Sequence, residues 1–125
     1  MATQAKVTFS LQADHGNWKQ QIAPGTLTIT LATQGARAGT QTIGFAAAEN
    51  LDYGDVAAAS AGLLYLRNLD ETNYVDWGMS DSGTMKAVGR LLPGEIAFVR
   101  VKPSAQVMMQ AHTAAVNVEV LLLAN

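Results

Sequence analysis

The chain has no cysteine and few charged residues. Without cysteine, its 125 residues cannot form a disulfide or a thiolate metal site. Charged residues make up 14% of the chain, where about 25% is usual in globular proteins, and apolar residues reach 49%. Two explanations stay open. The surface is either a neutral skin of Thr, Gln, Ser and Asn, or it is largely covered by other subunits, because interface cores are depleted in charge.

Other absences exclude two kinds of partner. The chain has no run of eighteen apolar residues, so no membrane-spanning helix is predicted. Its first residues, MATQAKVTFSLQADHG, lack the continuous apolar segment of a signal peptide, and we expect none. The eight Lys and Arg are scattered, so no basic stripe is available to follow a phosphate backbone. We therefore expect neither a membrane nor a nucleic acid as partner.

What is present is a period of two. The segments "KVTFSLQ", "TLTITLAT" and "AVNVEVLLL" alternate apolar with polar residues, which is typical of a pleated strand with one wet face. Turn signals such as "DHGN", "APG" and "LPG" separate the segments. The sequence predicts one all-β domain over residues 1–125, an antiparallel β-sandwich of jelly-roll-like type with about nine to ten strands. The predicted strands are 6–12, 17–22, 26–33, 39–45, 62–69, 73–79, 84–90, 95–101, 106–111 and 115–123.

Residues 45–62, "FAAAENLDYGDVAAASAG", break the alternation. Their alanines favour helix, whereas Gly54 and the Asp-rich centre interrupt a long one. Three structures are compatible with the segment: a short helix at 46–50, a helical turn around 55–60, or an irregular crossover between sheets. We expect the crossover, with at most one helical turn.

The acidic segment "LRNLDETNYVDWG", residues 66–78, is the place to look for chemistry. Its composition is also that of an ordinary hairpin loop, and the alternation makes Asp76 a solvent-facing strand residue. No calcium-loop, zinc, nucleophile-elbow or phosphate-loop motif occurs anywhere in the chain. We therefore predict a polar corner, no catalytic residue, no metal, no cofactor and no enzyme.

Aromatic and leucine residues provide the candidate contact sites. Phe9, Phe98 and Trp77 are in phase with apolar strand faces and are predicted to lie in the core. Trp18 and Tyr53 lie beside turns, where they could contact another subunit or stack on a sugar ring.

The last strand becomes apolar on both faces at Leu121, Leu122 and Leu123. A strand wet on one side keeps alternating, so something must cover both of its sides. The cover is either the second sheet with the crossover, or another subunit. Trp18, Tyr53, Leu122 and Leu123 are thus the predicted subunit or partner contacts.

The C-terminal half also carries a set of recurring motifs. They read "LLYLRNLDETNYVDWG", then "GRLLPGEIAFVRV", then "AHTAAVNVEVLLL", with "NLDYGDV" before them. In this order the motifs resemble a group of small tailed-bacteriophage proteins with R-N-L-D, T-N-Y-V and L-x-P-G-E segments. His112 stands where the group usually has Asn. The resemblance covers roughly residues 50–125, and in size and strand pattern the chain is similar to jelly-roll capsid decoration, or cement, proteins.

The resemblance implies a virion protein and brings no catalytic residues with it. We expect a non-enzymatic structural protein, made in the host cytoplasm and located in the virion, that decorates and stabilises the head. Its expected partners are the major capsid protein and further copies of itself. Two alternatives stay open: a tail or tail-tip component that contacts tail proteins, and a carbohydrate-binding jelly-roll module for adhesion.

Overall fold

Residues 3–125, described by a computed structural model, form ten strands and one three-residue 3-10 helix. All strand pairs among these residues are antiparallel, which confirms the predicted all-β class and strand number. The chain divides into two compact units, one ending at Ala32 and the other spanning Thr33–Asn125.

The first unit is a long two-stranded ribbon. Its strands are β1 (Thr3–His15) and β2 (Trp18–Leu31), joined by a tight turn. The sequence predicted two strands, 17–22 and 26–33, with "APG" as a turn between them. This was wrong, because pairing with β1 continues on both sides of that segment. Ala23 and Pro24 instead form a bulge opposite Ser10, a position where a strand tolerates proline.

The second unit holds eight strands in two four-stranded sheets. One sheet has the order β3-β10-β5-β8 and the other has the order β4-β9-β6-β7. The strands are β3 (Ala36–Ile43), β4 (Glu49–Asn50), β5 (Ala61–Asn68), β6 (Val75–Asp81), β7 (Thr84–Leu91), β8 (Ile96–Arg100), β9 (Val107–Ala111) and β10 (Val116–Ala124).

The pairing of these eight strands follows a simple rule. The first strand pairs with the last, the second with the second last, and so on inward to the β6–β7 hairpin. This is the connectivity of a hairpin folded over into two sheets, the jelly roll. The two sheets contribute side chains to one core, as expected for a sandwich. The largest fully buried apolar side chains of this core are Ile43, Leu51, Leu64, Leu66, Met109, Leu122, Val75, Val107, Val116, Val118 and Val120.

Residues 44–60 form the predicted irregular crossover. Instead of a helix at 46–50 they contain the two-residue β4, and the 3-10 helix Ala58–Ser60 supplies a single helical turn. Leu51, Tyr53 and Val56 lie in the core, so the crossover covers part of the sandwich.

Candidate functional site

The acidic segment after β5 is a hydrogen-bonded corner built around Asn68. This side chain is fully buried. Its Nδ2 donates to the carbonyl oxygens of Asn73 at 2.9 Å and Leu91 at 3.0 Å, and its Oδ1 accepts from the Asp70 N–H at 2.8 Å. The carboxylate of Asp70 in turn accepts from the N–H groups of Asn73 at 2.6 Å and Thr72 at 2.9 Å. The segment therefore uses its polar groups to close a chain reversal.

The "LPGE" turn docks on the same corner. The Glu95 N–H donates to the Leu92 carbonyl at 3.0 Å, and Gly94 has φ +80°, as the third residue of a type II turn requires. This confirms the turn predicted for Pro93 and Gly94. The backbone of Asn68 accepts from the Gly94 N–H and donates to the Glu95 carbonyl, both at 3.0 Å. The "RNLD" segment and the "LPGE" turn are thus joined in space.

Asp70 gives the corner a dependence on pH. The N–H groups of Asn73 and Thr72 hold the pKa of the Asp70 carboxyl below its ordinary value. A carboxyl whose pKa is lower in the folded state stabilises the fold above its unfolded pKa, and this contribution is lost as pH falls through the folded pKa. We expect Asp70→Asn to lower the melting temperature at neutral pH. The difference from the parent should become smaller at pH values well below about 4, the ordinary pKa of Asp. Melting curves at several pH values measure this.

Asp81 provides a matched control, because it is exposed at the end of β6 and its carboxylate accepts no hydrogen bond within residues 3–125. Because no hydrogen bond to the carboxylate is lost, Asp81→Asn should lower the melting temperature at neutral pH by much less than Asp70→Asn. An effect of Asp70→Asn that stays constant down to the lowest pH would contradict the role of the ionised carboxylate.

A second polar cluster lies beyond the corner, on the outer side of the β4-β9-β6-β7 sheet. Arg90 donates to both oxygens of Asp76, from Nε at 2.7 Å and from Nη2 at 3.2 Å. Its guanidinium carbon lies 3.8 Å from the centre of the Tyr74 ring, which stacks on His112 at 4.6 Å. Asp76 lies on the outer face as predicted, and Arg90 on the paired strand is its partner. These are cross-strand contacts of a partly exposed surface.

Residues 3–125 contain no group of three or more His, Asp or Glu that could hold a metal ion. None of the helices among them is long and apolar enough to cross a membrane.

The four predicted contact residues lie in different environments. Trp18 is 58% exposed near the tip of the ribbon. Tyr53 is buried, and its hydroxyl donates to the Ala105 carbonyl and accepts from the Val107 N–H, both at 3.0 Å. Leu122 is 0% exposed and belongs to the sandwich core, whereas Leu123 is half-buried on the opposite face of β10. Trp18 and Leu123 are thus at surfaces, and Tyr53 and Leu122 are internal.

Two apolar surfaces contain the two members of this set that lie at surfaces, Leu123 and Trp18. The first, which we call the outer strip, runs across the outer face of the β3-β10-β5-β8 sheet. Leu121 pairs with Tyr65, and Tyr65 pairs with Phe98 on the next strand. Leu121 is 37% exposed, Phe98 44% and Ile96 58%. Tyr65 lies half-buried between them, and its hydroxyl donates to Glu119 at 3.0 Å. The outer strip consists of Tyr65, Ile96, Phe98, Leu121 and Leu123.

The second surface is one face of the ribbon. Antiparallel pairing places Val7 beside Leu27, and Leu11 beside Ile22. The opposite face pairs Thr8 with Thr26 and Lys6 with Thr28, and is polar throughout. The apolar face, which we call the ribbon face, carries the apolar residues Ala5, Val7, Phe9, Leu11, Ala13, Trp18, Ile22, Leu27 and Ile29. His15 and Gln20 lie on the same face near the ribbon tip. Phe9, Leu11, Trp18, Ile22 and Leu27 are each between 46% and 60% exposed.

These surfaces correct the prediction that Phe9 and Phe98 belong to the core. Phe9 lies on an apolar face, but within its unit no second sheet covers that face. In β8, "IAFVR" has apolar residues on both faces of the strand. Ala97 and Val99 face the core, and Phe98 faces outward. Trp77 packs against the core as predicted. The signal available in the sequence was the low charge, which is compatible with covered surface but does not locate it.

Comparison with known proteins adds no relative, since no family model, curated protein or solved structure matches the chain.

Proposed function

We propose that this protein is a non-enzymatic structural protein of a tailed-bacteriophage virion that decorates the head and stabilises it by binding the major capsid protein. The observation that carries the proposal is the outer strip, a row of apolar side chains left exposed on a jelly-roll sheet. Jelly rolls are a common architecture of viral capsid domains and lectins. The motif resemblance in residues 50–125 supports the phage assignment.

The outer strip has the composition of the centre of an interface. Its aromatic and leucine side chains are uncharged, and the chain as a whole has only 14% charged residues. Contiguous exposed apolar surface on a small domain indicates a binding site, and interface centres are enriched in aromatic residues and depleted in charge. Glu119 and Arg67 share the neighbouring cross-strand row with Ile96 and add charged groups at the edge of the outer strip.

Binding to heads that lack the protein tests the proposal. Purified protein is added to such heads, and the bound fraction and the resistance of the heads to heat are measured. We expect the parent protein to bind and to raise that resistance. Phe98→Lys, which places a charge in the outer strip, should weaken binding at least about tenfold, as loss of an interface hot spot does.

Val88 is the matched control. It is a strand residue on the other sheet and is 65% exposed, so Val88→Lys adds the same charge at an exposed strand position outside the outer strip. We expect it to bind heads like the parent. Equal binding by both variants would exclude the outer strip as the capsid contact, and failure of the parent to bind would exclude decoration.

Locating the protein in separated heads and tails of purified particles distinguishes the tail alternative. Recovery only with tails would favour a tail or tail-tip component. The exposure of Trp18 near the ribbon tip keeps the carbohydrate-binding alternative testable. Glycan binding that Trp18→Ala abolishes would support adhesion in place of decoration.

A further inference from the structure

We infer that the ribbon face binds the ribbon face of a second copy of this chain, with the two ribbons parallel and in register. This goes beyond the decoration function and does not depend on it, because it concerns the purified protein in solution. The starting point is that a two-stranded ribbon is at best marginally stable in water. In its own unit, β1 and β2 have no third element to pack against.

The bulge at Ala23 and Pro24 shows that the ribbon face is built as one surface. Leu27 and Ile29 occupy odd positions of β2, whereas Trp18 and Ile22 occupy even ones. In a regular strand, odd and even residues point to opposite faces. The extra residue in the bulge reverses the parity, so Ile22 pairs with Leu11 and Trp18 with His15 on the same face as Leu27. Without it, the apolar surface would be divided between both faces.

The area of the ribbon face fits pairing with a copy of itself. Its five large exposed side chains are each about half exposed, which leaves roughly 100 Å² on each and about 500 Å² per ribbon by the usual areas of such side chains. Two ribbon faces together would bury about 1,000 Å², the lower size limit of a specific interface. The ribbon face needs to be covered whenever the chain is folded. Another copy of the chain is available wherever the chain itself is present, so it can always provide this cover.

The arrangement of large and small residues favours the parallel register. Phe9 pairs with Gly25, and Ala5 pairs with Ile29, so one strand carries the larger side chain where the other carries the smaller. A Cβ atom placed on Gly25 would meet no other atom within 4 Å, so the space above it is open. A two-fold axis parallel to the strands lays β1 of each copy over β2 of the other. Each Phe9 then fills the space above the partner copy's Gly25.

The antiparallel alternative fits less well. The Phe9–Gly25 pair lies midway along the ribbon. An antiparallel two-fold centred there would stack Phe9 on its own copy and leave an empty space between the two glycines. Charge does not oppose either arrangement, because Lys6, Asp14 and Lys19 lie on the polar face.

Sedimentation and spin-label distances test the inference. We expect the protein to sediment at twice the 13.2 kDa of one chain. Leu27→Lys puts a charge on the ribbon face of both copies, and it should raise the dissociation constant at least about 100-fold. Thr26→Lys puts the same charge on the polar face, one residue away and opposite the uncharged Thr8, and should leave the dissociation constant unchanged.

The chain has no cysteine, so Asn17→Cys at the exposed ribbon tip takes a single spin label. Parallel ribbons about 10 Å apart place the two labels within about 20 Å of each other, whereas antiparallel ribbons separate them by about 40 Å, the length of thirteen strand residues. If Leu27→Lys does not fold, the label distance still shows whether the ribbons pair and whether they are parallel. A monomer or a trimer, a dimer that Leu27→Lys does not weaken, or labels about 40 Å apart would overturn the inference. Failure to bind heads would not affect it.

Discussion

Leu122→Asp is expected to leave the sandwich unfolded at room temperature, while Leu121→Asp at the preceding position leaves it folded. Leu122 is 0% exposed and packs in the core between the two sheets. Truncating a buried leucine costs about 2–5 kcal/mol, and an ionised carboxylate with no partner adds a further desolvation cost. The total is comparable with the entire stability of a typical domain, about 5–15 kcal/mol. Far-ultraviolet circular dichroism and urea titration measure the outcome.

Leu121 is the control because it occupies the same strand with the opposite orientation. It is 37% exposed in the outer strip, so the carboxylate of an aspartate there stays hydrated. We expect Leu121→Asp to retain the strand spectrum and to affect binding to partners. The prediction for Leu122 would be contradicted if Leu122→Asp unfolded with a free energy within about 1 kcal/mol of the parent, an effect typical of a surface substitution.

The contrast between these neighbours shows what alternation predicts and what it does not. In β10, the period of two predicts that Val116, Val118 and Val120 share one face, and all three lie in the core. At Leu121–Leu123 the polar half of the pattern disappears. The sequence then indicates that both faces are apolar, but not that a second sheet covers only one of them. That depends on the pairing of distant strands.

The same reasoning explains the "APG" segment and the ribbon. Proline and glycine together usually end a strand, so a turn was the reasonable prediction from local chemistry. The structure retains the strand because the pairs Phe9–Gly25 and Leu11–Ile22 continue the pairing on either side of the bulge. Whether a Pro-Gly pair forms a turn or a bulge is decided by the opposite strand, which local sequence does not specify.

The corner at residues 66–78 was predictable to a larger extent because its interactions are mostly local. Asp70 binds N–H groups two and three residues ahead of it, as an Asp in a turn usually does. The pairing of Asp76 with Arg90 required the β6–β7 register, which local sequence does not specify. The contact between Asn68 and the "LPGE" turn also required the tertiary fold.

The second large effect is expected for Asn68→Ala. The substitution removes three side-chain hydrogen bonds and leaves the carbonyls of Asn73 and Leu91 and the N–H of Asp70 without that partner. A buried polar group left unsatisfied costs about 1–3 kcal/mol. Because some of these groups can recover water at the corner, we expect a total loss of about 3–5 kcal/mol in the free energy of unfolding. Urea titration of the variant and the parent gives the difference.

Asn117→Ala is the matched control. Asn117 is an exposed strand residue whose Oδ1 accepts one hydrogen bond, from the Thr42 hydroxyl at 2.7 Å. Water can replace that bond, so the loss should be below about 1 kcal/mol. Asn68→Asp separates shape from donor capacity, since it keeps the size of the side chain and the acceptor for the Asp70 N–H but removes both donors. If the corner depends on those donors, Asn68→Asp destabilises the protein at neutral pH at least as much as Asn68→Ala. An Asn68→Asp variant as stable as the parent would show that the carbonyls of Asn73 and Leu91 do not need Asn68, and that another interaction closes the corner.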